Sequence, residues 1–130
     1  MMDHRARVCF ASWDVMLLRS HTMMLGAYFS VQPAGRFLEC LRLVRWNPYD
    51  LLVLCYTLGD LQQENLASIA RRTYSPTEVL VLQTHLSVCK PYADHLYDVT
   101  GGPWQLTKKC AEIVGYRIKS DARRVGAAAN

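Results

Sequence analysis

Three helix-start signals constrain this chain more than any other feature of its sequence. Asn47-Pro48 pairs an N-cap residue with proline at the first helical position, where the missing N–H costs nothing. Ser75-Pro76-Thr77-Glu78 has capping-box spacing, in which the serine oxygen accepts from the backbone N–H of Glu78 and the glutamate reaches back. Thr100-Gly101-Gly102 followed by Pro103 stops one segment and opens the next.

The segments between these signals read as helices. Arg36–Trp46 carries charges at 36, 39, 42 and 45 and keeps Phe37, Leu41 and Val44 at helical spacing. Asp60 can cap Leu61–Arg72, whose inward stripe is Leu61, Leu66, Ile69 and Ala70. Tyr49–Thr57 is apolar nearly all round, as a central buried helix would be. Pro76–Cys89 lines up Val79, Leu82, Leu86 and Cys89, a short helix is expected from Pro91 to Val99, and Trp104–Lys119 carries Leu106, Cys110, Ile113 and Val114. The first seven residues read as a polar arm and Val8–Arg19 as helical, while Thr22–Val31 mixes helix formers with strand formers. The expectation is an all-α fold, a compact bundle of six or seven short helices with minor β character at 22–31. Residues 1–120 form its single domain, and 121–130 a mobile basic tail.

An apolar fraction of 51% with 20% charged residues is that of a globular chain. No apolar run approaches the roughly 20 residues needed to cross a bilayer, so no membrane partner is expected. The five cysteines, Cys9, Cys40, Cys55, Cys89 and Cys110, are scattered, odd in number and free of any C-x-x-C pair. That argues against a secreted disulfide framework and for a cytoplasmic or nuclear location.

Charge is unevenly placed. Residues 1–102 balance nine bases against nine acids, whereas residues 103–130 hold six bases and two acids, so the whole net charge of +4 lies in the last segment. Lys108, Lys109, Tyr116, Arg117, Lys119, Arg123 and Arg124 are therefore the candidate partner-binding or nucleic-acid-binding residues, offering cations and a stacking ring to phosphate or carboxylate.

Other constellations are thinner. Leu61–Leu86 has helix–turn–helix lengths, but Glu78 would face phosphates unfavourably. His85 and Cys89 stand four apart with His95 and Cys110 in reserve, one pair where structural zinc wants two. Ser75 follows Arg71-Arg72 and precedes proline, a pattern suited to phosphorylation. No phosphate-cradling loop and no nucleophile–base motif is present, so no catalytic residue, cofactor or metal is expected. The reading that remains is a non-enzymatic helical protein–protein interaction module, an adaptor or a self-associating homo-oligomer. Three tryptophans, seven tyrosines and five methionines support it as interface-forming types. The alternatives are a nucleic-acid-binding protein using the basic C-terminal helix and tail, and a viral accessory protein that binds a host factor.

Overall fold

The computed structural model describes residues 5–73, 77–84 and 89–129, without the side chains of 73 and 116–129. Short, unbroken apolar runs form strands in it: β1 (Arg7–Ala11), β3 (Leu51–Leu54) and β4 (Glu78–Gln83) have nearly every residue buried. Strands covered on both faces lose the in-out alternation of an exposed sheet, which is why they read as continuous hydrophobic runs. Two less buried strands, β2 (Ser30–Ala34) and β5 (His95–Asp98), lie at the edges. All pairings are parallel, in the order β2-β1-β3-β4-β5.

Among the described residues four α-helices cover this sheet: α1 (Val15–Gly26), α2 (Phe37–Trp46), α3 (Asp60–Thr73) and α4 (Gly102–Ala129). α1 and α4 pack together on one face, where His21 stacks on Phe10, and α2 and α3 on the other, where Cys40 meets Cys9. The fold is a doubly wound α/β sandwich. The core is the central strands with Leu25, Val44, Leu66 and Leu106 from the helices, all buried.

The all-α expectation is thereby corrected. Tyr49–Thr57, expected as a central helix, contains β3; Pro76–Cys89 contains β4; Pro91–Val99 contains β5; and Val8–Arg19 divides into β1 and the start of α1. An apolar run of four to eight residues suits a buried strand and a buried helix equally, and its periodicity cannot separate them. The β character at 22–31 is the end of α1 followed by β2. The helix–turn–helix reading of Leu61–Leu86 fails for the same reason, because its second helix is β4. Helices were expected, and are found, at α2 and α3 and from the Gly102-Pro103 signal, where α4 continues past Lys119 to Ala129.

The chain passes from β4 to β5 through a connecting segment. It spans 84–94, and its described residues, 84 and 89–94, contain no helix. Side chains tie the described part of this connection to α3 and β4. Lys90 reaches Asp60 and Gln63 on α3, Tyr92 also reaches Gln63, and Asp94 bonds the Val79 N–H (2.8 Å) and the Arg71 guanidinium (2.9 Å).

Candidate functional site at the carboxyl edge of the sheet

In an open parallel sheet, ligands meet the carboxyl ends of the strands where the strand order reverses. Here that point lies between β1 and β3. Ser12, Trp13 and Asp14 follow β1; Cys55, Tyr56 and Thr57 follow β3; Thr84 follows β4; and Val99 and Thr100 follow Asp98 at the end of β5.

This crevice is bridged by the protein itself. The Ser12 and Thr57 hydroxyls lie 3.3 Å apart, and Thr57 Oγ1 accepts the Trp13 backbone N–H at 2.9 Å. The Trp13 indole N–H then donates to Gln62 Oε1 of α3 at 2.8 Å. Beneath it Gln63, with no exposed surface, ties three elements together. Its amide nitrogen donates to the Cys55 carbonyl (3.0 Å), and its oxygen accepts from Tyr92 O–H (2.6 Å) and Lys90 Nζ (3.0 Å). Burial alone would lower the Lys90 pKa, but its hydrogen bond to Asp60 and the neighbouring Tyr92 outweigh burial and hold it above the ordinary value. Burial likewise pushes the Tyr92 phenol up.

The nearby acids are engaged in local structure. Asp14 caps α1 by accepting from Leu17 N (3.0 Å), and Asp98 accepts from the backbone N–H and hydroxyl of Thr100 (2.9 and 2.8 Å). Asp60 holds Lys90 at 2.8 Å. No three His, Cys, Asp or Glu side chains among the described residues gather as a metal site would require. Phosphoryl transfer assisted by a divalent ion needs carboxylates converging on the crevice. The side chains across β1 and β3 are instead Ser12, Trp13, Cys55 and Thr57, which do not fit such an ion.

The buried thiols Cys9 and Cys110 are equally ill suited to chemistry. Cys9, Cys40, Cys55 and Cys110 are buried. The hydrogen bond with Cys40, then burial, raises the Cys9 thiol well above its usual range, and burial pushes Cys110 up to about 12. Thiols held protonated are poor nucleophiles.

The residues singled out by charge lie elsewhere. Lys108 and Lys109 sit on α4 beside a surface hollow shared with Tyr97, Gln105 and Glu112. Lys109 also faces Glu78, His95 and Glu112, with His95 Nε2 3.5 Å from Glu78 Oε2. The two lysines therefore stand among acids and do not form a uniform cationic face. The backbone of α4 carries Tyr116, Arg117, Lys119, Arg123 and Arg124, whose side chains lie outside the described residues, as do Ser75 and His85. Ser12, Thr57, Gln62 and Gln63 were not legible as a cluster, because only the parallel topology brings them together.

No family model matches the chain, and no curated protein does. Solved structures do. A CheY-like response regulator receiver domain protein from Methanospirillum hungatei superposes with a TM-score of 0.77 at 18% identity, over 89% of this chain and 98% of that one. A response regulator from Thermotoga maritima matches at 0.69 and 18% identity, over 85% and 98%. The receiver domain of DrrB, solved in a beryllofluoride-activated form, matches at 0.72 and 17%, over 85% and 98%. This likeness corrects the functional expectations together with the fold. A helical adaptor needs a helical bundle, Lys109, expected to meet nucleic acid, stands beside Glu78 and Glu112, and the three solved structures above are response-regulator proteins, not nucleic-acid-binding or viral accessory proteins. The chain has the doubly wound α/β fold of the response-regulator receiver domains.

Proposed function

We propose that this chain is a receiver-type signalling domain that accepts no phosphoryl group, performs no catalysis and acts by contact with a protein partner. The receiver fold of the solved structures supports the signalling class. The observation that carries the rest is the bridge Ser12–Thr57–Trp13–Gln62, which occupies the β1–β3 switch point with hydroxyl and amide groups. The free cysteines fit a reducing cytoplasmic compartment, and no described helix is long and apolar enough to cross a membrane.

The contact surface that fits best is α2. Leu38 and Trp46 are 68% and 69% exposed there, beside Arg36 and Arg42 in an open groove of about 680 Å³. Glu39, the acid of this helix, accepts the Gly35 N–H at 2.8 Å. An acidic, partly apolar segment of a different protein complements this face, with tryptophan and arginine as its anchors. A second copy of the chain meeting it symmetrically would set arginines against arginines.

The test is exposure of the full chain to magnesium with acetyl phosphate, and separately with beryllofluoride, read by intact mass and by amide NMR. Unchanged mass and unchanged signals at 12–14, 55–57 and 84 are expected. A hydroxylamine-labile phosphoryl adduct, or saturable beryllofluoride shifts at those positions, overturns the reading.

A further inference from the structure

We propose that the cavity between α1, the ends of β3–β5 and the start of α4 binds a small neutral aromatic molecule with one hydrogen-bond donor, of the phenol or indole class. The proposal deepens the signalling reading above by supplying an input for a domain whose switch point takes no phosphoryl group.

The cavity measures about 250 Å³. Its apolar walls include Leu17 on α1, Leu82 on β4, Val99 just after β5 and Leu106 on α4, with Tyr97 as part of the aromatic wall. Pockets for drug-sized ligands run from about 300 to 1,000 Å³, and an apolar cavity of about 150 Å³ accommodates benzene. The volume here therefore suits one substituted ring or two fused rings. Water is a poor occupant, because a buried water wants two to four polar partners and these walls are largely hydrocarbon.

The donor requirement comes from His21, which lines the cavity. Its ring is fixed twice, stacked on Phe10 at 5.3 Å with 12° between the planes, and tethered through Nδ1 to the Leu17 carbonyl at 2.8 Å. A carbonyl only accepts, so Nδ1 carries the proton and Nε2 of the neutral ring is left as an acceptor. No described protein group bonds Nε2. The Tyr97 hydroxyl donates to the Gly102 carbonyl at 2.7 Å, so its proton is not available to a ligand and the wall offers no free side-chain donor there. The cavity thus offers aromatic and aliphatic walls and, at the doubly held His21 ring, a fixed acceptor. It lies against Cys55 and Tyr56, so occupancy would bear on the segment that carries Thr57 and the bridge above it.

Full-length protein is titrated with phenol, with indole and with toluene, followed by amide NMR. Phenol and indole should give saturable shifts centred on Leu17, His21, Cys55, Leu82, Val99 and Leu106, with phenol binding about tenfold tighter than toluene, one hydrogen bond to a fixed acceptor. His21→Phe keeps a stacking ring and removes the acceptor, so it should reduce phenol to the toluene level while leaving toluene unchanged. Val99→Phe fills the cavity from a half-buried position and should abolish both. Absence of saturable shifts up to the ligands' solubility overturns the proposal, as does equal affinity for phenol and toluene, or binding unaffected by Val99→Phe in a folded chain. The phosphodonor experiment is independent of these outcomes, so either reading can fail without the other.

Discussion

Gln63 is the residue whose replacement should expose how the β4–β5 connection is held. Gln63→Leu keeps the volume of a fully buried side chain while removing three hydrogen bonds, to the Cys55 carbonyl, Tyr92 O–H and Lys90 Nζ. The partners are not equally stranded. The Cys55 carbonyl keeps the Leu58 N–H at 3.1 Å, and Lys90 keeps Asp60 at 2.8 Å. Tyr92 loses the one acceptor that its hydroxyl bonds among the described residues, though its half-buried ring gives that hydroxyl some access to water. Each neutral bond contributes about 1 kcal/mol net and the bond from a charged donor about 1.5 to 3. Because Lys90 is retained by Asp60, its share falls at the low end, and the expected loss is about 2–4 kcal/mol. With a urea m-value of about 2 kcal/mol/M, the unfolding midpoint should fall by about 1–2 M with m unchanged. Tyr92→Phe, which leaves Gln63 Oε1 bonded to Lys90, should cost about 1 kcal/mol. A Gln63→Leu loss below about 1 kcal/mol, or one no larger than that of Tyr92→Phe, would refute the view that this amide anchors Lys90 and Tyr92 of the connection to α3.

Three further predictions follow from the packing. Leu54→Ala on a central strand, at a fully buried position, should cost about 3 kcal/mol in chemical denaturation, whereas Leu61→Ala, 71% exposed on α3, should stay within about 0.5 kcal/mol. A methyl at Gly101 would lie 2.5 Å from the Tyr97 hydroxyl, so Gly101→Ala should displace that group from Gly102 and cost about 1–2 kcal/mol; in a Tyr97→Phe background the cost should shrink, a coupling read from a double-mutant cycle. Alkaline pH should destabilise the chain. Cys110 is raised from 9.0 to about 12 by burial, so the unfolded thiol releases its proton first. The stability this group contributes is whole below about pH 9 and is lost as pH rises towards 12, and stability curves for Cys110→Ala should fall less steeply across that window.

Much of the α-helical content was legible because its signals are local. In α2 the arginines and Glu39 recur at intervals of three on a helix that buries Cys40 and Val44, and α3 buries Leu66, Ala67 and Ala70 at helical spacing. The sheet was not legible, for a reason that lies in its burial. β3, Leu51–Leu54, is covered on both faces and shows no alternation, and its flanking Asn47-Pro48 mimics a helix start. The Ser75–Glu78 pattern misleads in the same way, since Glu78 is the first residue of β4 and pairs in register with Leu51. The bridging cluster was beyond the sequence altogether. Ser12 and Thr57 are separated by 45 residues and meet only because β1 and β3 are parallel neighbours.

Pro33 on the outer strand β2 carries a consequence for how this protein behaves at high concentration. Ser30 N donates inward to the Ala6 carbonyl, and the Ala34 carbonyl accepts inward from Ser12 N. The alternation of a parallel strand therefore turns the backbone of residue 33 outward, towards the free margin of the sheet. An imide nitrogen there costs the native ladder nothing, yet it withholds a donor that an intruding strand from another molecule would need. The opposite margin is guarded by brevity, as β5 spans four residues. Stacking of sheets end to end between molecules should thus be suppressed at both sides, and replacing Pro33 by valine should leave the monomer folded while hastening fibril growth in a thioflavin assay.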